Sequence, residues 1–129
     1  MKGLNIVVAE DDAIIRMYME DLLKHAGHNV VGTAYSGEDA VSKVGELQPD
    51  IAVMDIGLKG DLDGIEAALM MRNEHDIPVV FVSGNSDRFK DEARLSEIRP
   101  LATLVKPIDD RCLIQLLADF CEEMQQSPE

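Results

Sequence analysis

Five side chains able to do chemistry stand at the ends of apolar runs in this sequence. Glu10 and Asp11 follow the run IVVA, Asp55 ends IAVMD, Ser83 ends PVVFVS, and Lys106 ends LATLVK just before Pro107. Brought together, three carboxylates would repel one another. Two unit charges about 4 Å apart cost on the order of 4 kcal/mol at an effective dielectric near 20. Either their pKa values rise or a cation sits among them. Hard oxygen donors with no thiolate or imidazole nearby favour Mg²⁺, which takes one or two carboxylates, several waters and a phosphate oxygen. Such an ion, with Lys106 and Ser83 opposite, outlines a pocket for a phosphoryl group and leaves one carboxylate free to act as a nucleophile.

Each residue alone has a plainer reading. Glu10 and Asp11 could cap the helix that follows, as Asp12 is expected to do. Asp55 could be a solvated strand end, Ser83 a loop hydroxyl, and Lys106-Pro107 the approach to the last helix. For the site to vanish, all of these readings must hold at once.

The elements that would position the five residues are legible from apolar patterning. Short, nearly continuous apolar runs rich in β-branched residues recur at 4–9, 29–34, 50–55, 78–83 and 101–105, as expected of strands buried on both faces of a parallel sheet. Helical patterns lie between them. Residues 13–26 place Ile14, Ile15, Tyr18, Leu22 and Leu23 on one stripe, with Gly27 as a stop. Ser36 opens a second helix carrying Val41, Val44 and Leu47, which ends before Pro49. A third runs from Gly64 to about Asn73, and a fourth, poor in apolar residues, covers 86–97. The last spans about 109–124 and points Leu113, Leu116, Leu117, Phe120 and Met124 inward. Strict alternation with right-handed crossovers predicts an α/β fold, an open doubly wound five-stranded parallel sheet with helices on both faces. In such sheets the site lies beyond the carboxyl ends of the strands, where all five residues fall.

The totals agree. A chain of 129 residues is the size of one domain, read here as residues 1–124 with a frayed tail at 125–129. The net charge of −13, from 25 acids against 12 bases, repels phosphate backbones and anionic lipid, so direct nucleic-acid or membrane binding is not expected. No apolar run approaches a membrane span, and the N-terminus turns acidic too soon for a secretory signal, so a cytoplasmic home is expected. Cys112 and Cys121 share one predicted helix, about 13 Å apart along its axis, too far for a disulfide, and should be free thiols. His25, His28 and His75 show no ligand spacing.

The segments VVAEDD, IAVMDIGLKGDLDGIEA, PVVFVSG and LVKPID, in this order and spacing, resemble the receiver domains of bacterial response regulators, over about residues 4–124. The resemblance implies a flavodoxin-like strand order 2-1-3-4-5. It also implies Asp55 as phosphoacceptor, Glu10 and Asp11 as the acidic pair holding Mg²⁺ with the backbone carbonyl of Gly57, Ser83 as the switch hydroxyl, Lys106 as the phosphoryl-pairing lysine, and a cis Lys106-Pro107 bond. The partners implied are a histidine kinase or histidine phosphotransfer protein and a downstream protein effector, reached through the surface of the fourth helix, fifth strand and fifth helix; association on phosphorylation is compatible with it. Two features depart from the pattern. Thr103 stands where many receivers carry an aromatic, and the loop from Gly57 to Gly64 is one residue longer than the commonest form and lacks its proline.

Two other readings compete. A receiver-like interaction module would need no phosphorylation, but here the acid pair, Asp55, Ser83 and Lys106 are all present. A flavodoxin-like redox protein would share the fold, yet the loop after the first strand is acidic rather than a phosphate cradle, and aromatics make up only 4%. No nucleotide-binding glycine loop or nucleophile elbow is present.

Overall fold

The computed structural model describes residues 3–58, 62–84 and 96–126. Five strands, β1 (Asn5–Ala9), β2 (Asn29–Ala34), β3 (Ile51–Asp55), β4 (Val79–Ser83) and β5 (Ala102–Val105), form one parallel sheet in the order β2-β1-β3-β4-β5. Helices α1 (Ala13–His25), α2 (Gly37–Leu47) and α3 (Gly64–His75) follow the first three strands. A fourth, α4, is described over 96–98, and α5 spans Asp110–Gln126. The rest of the predicted helix at 86–97 lies outside the described residues. The order of the strands reverses at β1 and β3, so the ends of those two strands flank the switch-point crevice.

Alternation along each strand divides the core in two. Val7, Ala9, Ala52, Met54 and Phe81 meet α2 and α3 on one face. On the other, Ile6, Val8, Val53 and Val80 meet α1 and α5. The central strands β1, β3 and β4 are buried on both faces and have no polar face to offer water, which is why they appeared in the sequence as unbroken apolar runs. The expectation of two-sided burial does not hold for the edge strands β2 and β5, which expose Val31 and Val105 because each has a neighbour on one side only.

The stripe on α1 matches the predicted one at Ile15, Leu22 and Leu23 and departs from it at Ile14 and Tyr18. Ile14 is 79% exposed and Tyr18 54% exposed, whereas Met19 and Leu23 are buried, with Ile15 and Leu22 packed beside them. The sheet selects the face 15-19-22-23, and Tyr18 turns outward, where its hydroxyl donates to Asp110 at the start of α5. Tyrosine, with a polar tip, loses less in water than the Met19 thioether would. In α5 the inward face is Leu113, Leu117 and Cys121, while Met124, predicted inward, is 42% exposed because it borders an open cavity at the amino end of β1, beside Leu4 and Asn5. Cys112 and Cys121 are thiols outside any disulfide among the described residues, the first exposed and the second buried.

After α1, Gly27 adopts φ +95° and returns the chain beneath the sheet. His28 then sits buried with its Nδ1 accepting the Leu4 N–H at 3.0 Å. Burial pushes its imidazole below the ordinary histidine pKa. With the folded value depressed, the unfolded chain takes up the proton first as the pH falls. Stability contributed here is therefore complete above the unfolded value, about 6.5, and is lost progressively as the pH drops below it towards the folded value. His28→Asn keeps an acceptor near the Nδ1 position but cannot titrate. Urea midpoints compared at about pH 7.5 and about pH 5.5 should fall further for the wild type than for the variant. Equal falls would show that His28 plays no part in the acid sensitivity.

Candidate functional site

Glu10, the first residue past β1, is 1% exposed although its side chain ends in a carboxyl group. Its N–H donates to the Ala34 carbonyl at 2.9 Å, which extends the β1–β2 ladder by one bond. Its Oε2 accepts the Asp12 N–H at 3.1 Å. Asp12 caps α1, its Oδ1 accepting from the N–H groups of Ile14 and Ile15. Capping thus falls to Asp12, and Glu10 and Asp11 are left at the crevice rim.

Asp55 ends β3 beside them. Its Oδ1 accepts the Gly57 N–H at 2.9 Å and its Oδ2 accepts from Lys106 Nζ at 3.2 Å. The same ammonium donates to Glu10 Oε1 at 3.1 Å. One carboxylate oxygen each of Glu10, Asp11 and Asp55 lies within 4.8 Å of the others. Lys106 is delivered by β5, whose last residue pairs with Ser83, and by a bond of 2.7 Å from its own N–H to the Ser83 carbonyl. The Lys106-Pro107 bond is cis, as the resemblance implied. Ser83, 1% exposed, ends β4 next to β3. All five chemically capable residues therefore sit at the carboxyl edge of one sheet.

Burial raises the Glu10 pKa above the ordinary carboxylate value; the bonds from Asp12 and Lys106 oppose that rise, and the negative charge of Asp55 adds to it. For Lys106, burial works against the charge, but the bond to Glu10 and the charges of Asp55 and Glu10 outweigh it and raise the ammonium above the usual lysine value. The ammonium is thus a fixed cation at neutral pH. Against three carboxylates it leaves a formal surplus of negative charge at the crevice when all are ionised. All three donors are hard carboxylate oxygens, which suits Mg²⁺ or another oxygen-seeking cation.

Two contributors went unread in the sequence. Arg16 donates from Nη1 to the Glu10 carbonyl at 2.7 Å. Its position one turn into α1 was the available signal, but nothing in the pattern says which way a guanidinium folds. The second is Gly64, which opens α3 directly against the Asp55–Ile56 backbone. The predicted departure at Thr103 is seen as an exposed side chain on β5, beside a Val105 that is 50% exposed. Part of the longer loop, residues 59–61, lies outside the described residues.

A five-stranded parallel sheet in the order β2-β1-β3-β4-β5, with acids, a hydroxyl and a lysine at its carboxyl edge, has the architecture of a receiver domain. The chain belongs to the response regulator receiver domain family, whose profile matches residues 6–118, and so to the proteins of two-component signalling. Among curated relatives it is 34% identical over 109 residues to the transcriptional regulatory protein PdtaR of Mycobacterium tuberculosis, covering 84% of this chain and 52% of that protein. It is 38% identical over 85 residues to a protein-glutamate methylesterase/protein-glutamine glutaminase of Natronomonas pharaonis, covering 66% of this chain and 24% of that one. The chain thus spans about half the length, or less, of these relatives. Among solved structures, the signal receiver domain of a modulated diguanylate cyclase from Desulfovibrio desulfuricans matches with TM-score 0.83 and 26% identity over 97% of this chain and 100% of that one. The response regulator domain of Thermotoga maritima CheB matches with TM-score 0.79 and 27% identity over 98% and 100%.

Proposed function

We propose that the domain, taken as residues 1–124, accepts a phosphoryl group from a phosphohistidine onto Asp55. The observation that carries this reading is the bridge of Lys106 Nζ between Glu10 and Asp55 beside a third carboxylate. Asp55 is held by Gly57 on one oxygen and by Lys106 on the other, so its carboxylate is oriented before any donor arrives. In the transfer, a bond forms from an Asp55 oxygen to phosphorus as the bond from phosphorus to the donor imidazole nitrogen breaks; the product is an acyl phosphate and a free histidine. Lys106 neutralises charge on the transferred oxygens, and the Ser83 hydroxyl reaches the phosphoryl group afterwards. Glu10, Asp11 and Asp55, with the Gly57 carbonyl, would hold Mg²⁺, which supplies charge neutralisation when bound.

The domain assists its own phosphorylation and hydrolysis and is otherwise a signalling unit rather than an enzyme. A histidine kinase or histidine phosphotransfer protein supplies the group. Output passes to a protein effector through the surface of α4, β5 and α5, where the exposed Thr103 and Val105 side chains support the reading. With threonine at position 103, that output does not run through an aromatic rotamer there. Two cysteines outside any disulfide are in keeping with a reducing cytoplasm.

Acetyl phosphate with Mg²⁺ should add one phosphoryl group to the wild type, read by intact mass, and chelation with EDTA should abolish the gain. Peptide mapping that puts the group on a residue other than Asp55, or labelling undiminished by EDTA, would overturn the assignment.

A further inference from the structure

The loop that carries the acidic pair is held by an arginine from the helix it leads into. Glu10 lies just beyond the last pairing of β1 with β3, Ala9 with Met54, so the strand ladder no longer organises its carbonyl. Arg16 fills that role. Its backbone N–H donates to Asp12 O at 2.9 Å, and its guanidinium folds back over the first turn of α1 to donate to Glu10 O at 2.7 Å. A bond of this kind, from a charged donor to a partly buried carbonyl, is roughly twice as strong as its neutral counterpart. Glu10 is then fixed at its N–H by Ala34, at its carbonyl by Arg16, and at its carboxylate by Asp12 and Lys106. Fixing that carbonyl fixes the peptide plane between Glu10 and Asp11, because the plane is rigid. The plane in turn sets the direction in which Asp11 leaves the chain.

We infer that Arg16 is a positioning residue for the metal-binding acids: by clamping the Glu10 carbonyl it sets the Glu10–Asp11 peptide plane and so the spacing of the two carboxylates that meet Asp55. This inference rests on the Mg²⁺ reading proposed above for the same residues. A competing role is easy to state. If the guanidinium contributed only background positive charge, its removal would reduce repulsion of an incoming cation and tighten Mg²⁺ binding.

The two roles predict opposite signs. Arg16→Met keeps the stem but removes the donors and the charge. Titration with MgCl₂ by calorimetry should show binding about tenfold weaker than wild type, the scale seen when partners that orient metal ligands are lost. Arg16→Lys, which keeps the charge but lacks the planar fork, should fall between the two. Wild-type or tighter binding by Arg16→Met overturns the inference; should that variant fail to fold by circular dichroism, wild-type or tighter binding by Arg16→Lys does so in its place. A second measurement needs no metal. In the metal-free protein the Asp12 amide, bonded to Glu10 Oε2, should exchange its hydrogen about tenfold faster in Arg16→Met while the amides of β3 stay protected. Unchanged exchange at Asp12 also overturns it. A wild type without saturable Mg²⁺ binding would remove the magnesium reading instead, and the exchange result would then decide the role of Arg16.

Discussion

Asp55→Asn should abolish labelling by acetyl phosphate, with no mass gain under conditions that phosphorylate the wild type, while leaving the fold intact. The amide nitrogen lone pair is delocalised and the amide oxygen carries no full charge, so neither atom attacks phosphorus as a carboxylate does. The substitution is nearly isosteric, but it creates a local mismatch. Asp55 accepts on both oxygens, from the Gly57 N–H and from Lys106 Nζ. Whichever way the new amide turns, its NH₂ faces one of those donors. In one orientation Lys106 leans on Glu10 alone and in the other the Gly57 N–H loses its acceptor, but in both the Lys106–Glu10 contact is kept. Because that bridge survives, the stability change should be small compared with the chemical loss. Mg²⁺ affinity should also drop by about tenfold or more, since losing mere orienting partners of metal ligands already costs about 10–100-fold. A mass gain in Asp55→Asn equal to that of the wild type would remove Asp55 from the centre of the reaction.

The placement of the site's side chains was legible in the sequence because they sit where the fold's grammar is simplest. A strand buried on both faces must be apolar throughout, so the break in polarity at its end marks the sheet edge, and Glu10, Asp55 and Ser83 were read from that break at β1, β3 and β4. Lys106 follows the half-exposed edge strand β5 and was read only from its place after an apolar run. Observed strand limits fall within a residue of the apolar runs for the same reason. Helix faces were less legible. Two stripes overlap on α1, one through Ile14 and Tyr18 and one through Met19 and Leu23, and both satisfy helical spacing. Which of them is buried depends on the rotation of the helix against the sheet, a tertiary quantity absent from local pattern. Cys121 escaped the predicted core because it was weighed as a thiol rather than as a small apolar side chain. Arg16 escaped because a long side chain folding back onto a carbonyl leaves no period to detect.

Gly64→Ala should nearly silence the domain without unfolding it. A Cβ at this position would lie 2.5 Å from the Asp55 carbonyl oxygen, 2.7 Å from Ile56 Cα and 2.8 Å from Ile56 O. All three are backbone atoms, so no side-chain rotation relieves the clash, and either α3 retreats or the end of β3 moves. Gly64 is also tied to that strand end by its N–H, which donates to Ile56 O at 3.0 Å. The strain of forcing a methyl group into filled space costs about 1–3 kcal/mol, partly offset by about 1 kcal/mol of better helix propensity for alanine. A net loss of up to about 2 kcal/mol, seen as a lower urea midpoint, leaves most of a domain's stability in place. Function should suffer more. Displacing a nucleophile by about 1 Å costs on the order of 100-fold in rate, and the residue pushed is Asp55 itself. Gly45→Ala in α2 provides the control: a Cβ there would first meet the His75 ring at 3.2 Å, a side chain able to shift. That variant should keep the wild-type labelling rate. If Gly64→Ala were labelled as fast as Gly45→Ala, the close approach of α3 to the end of β3 would have no bearing on where Asp55 is held.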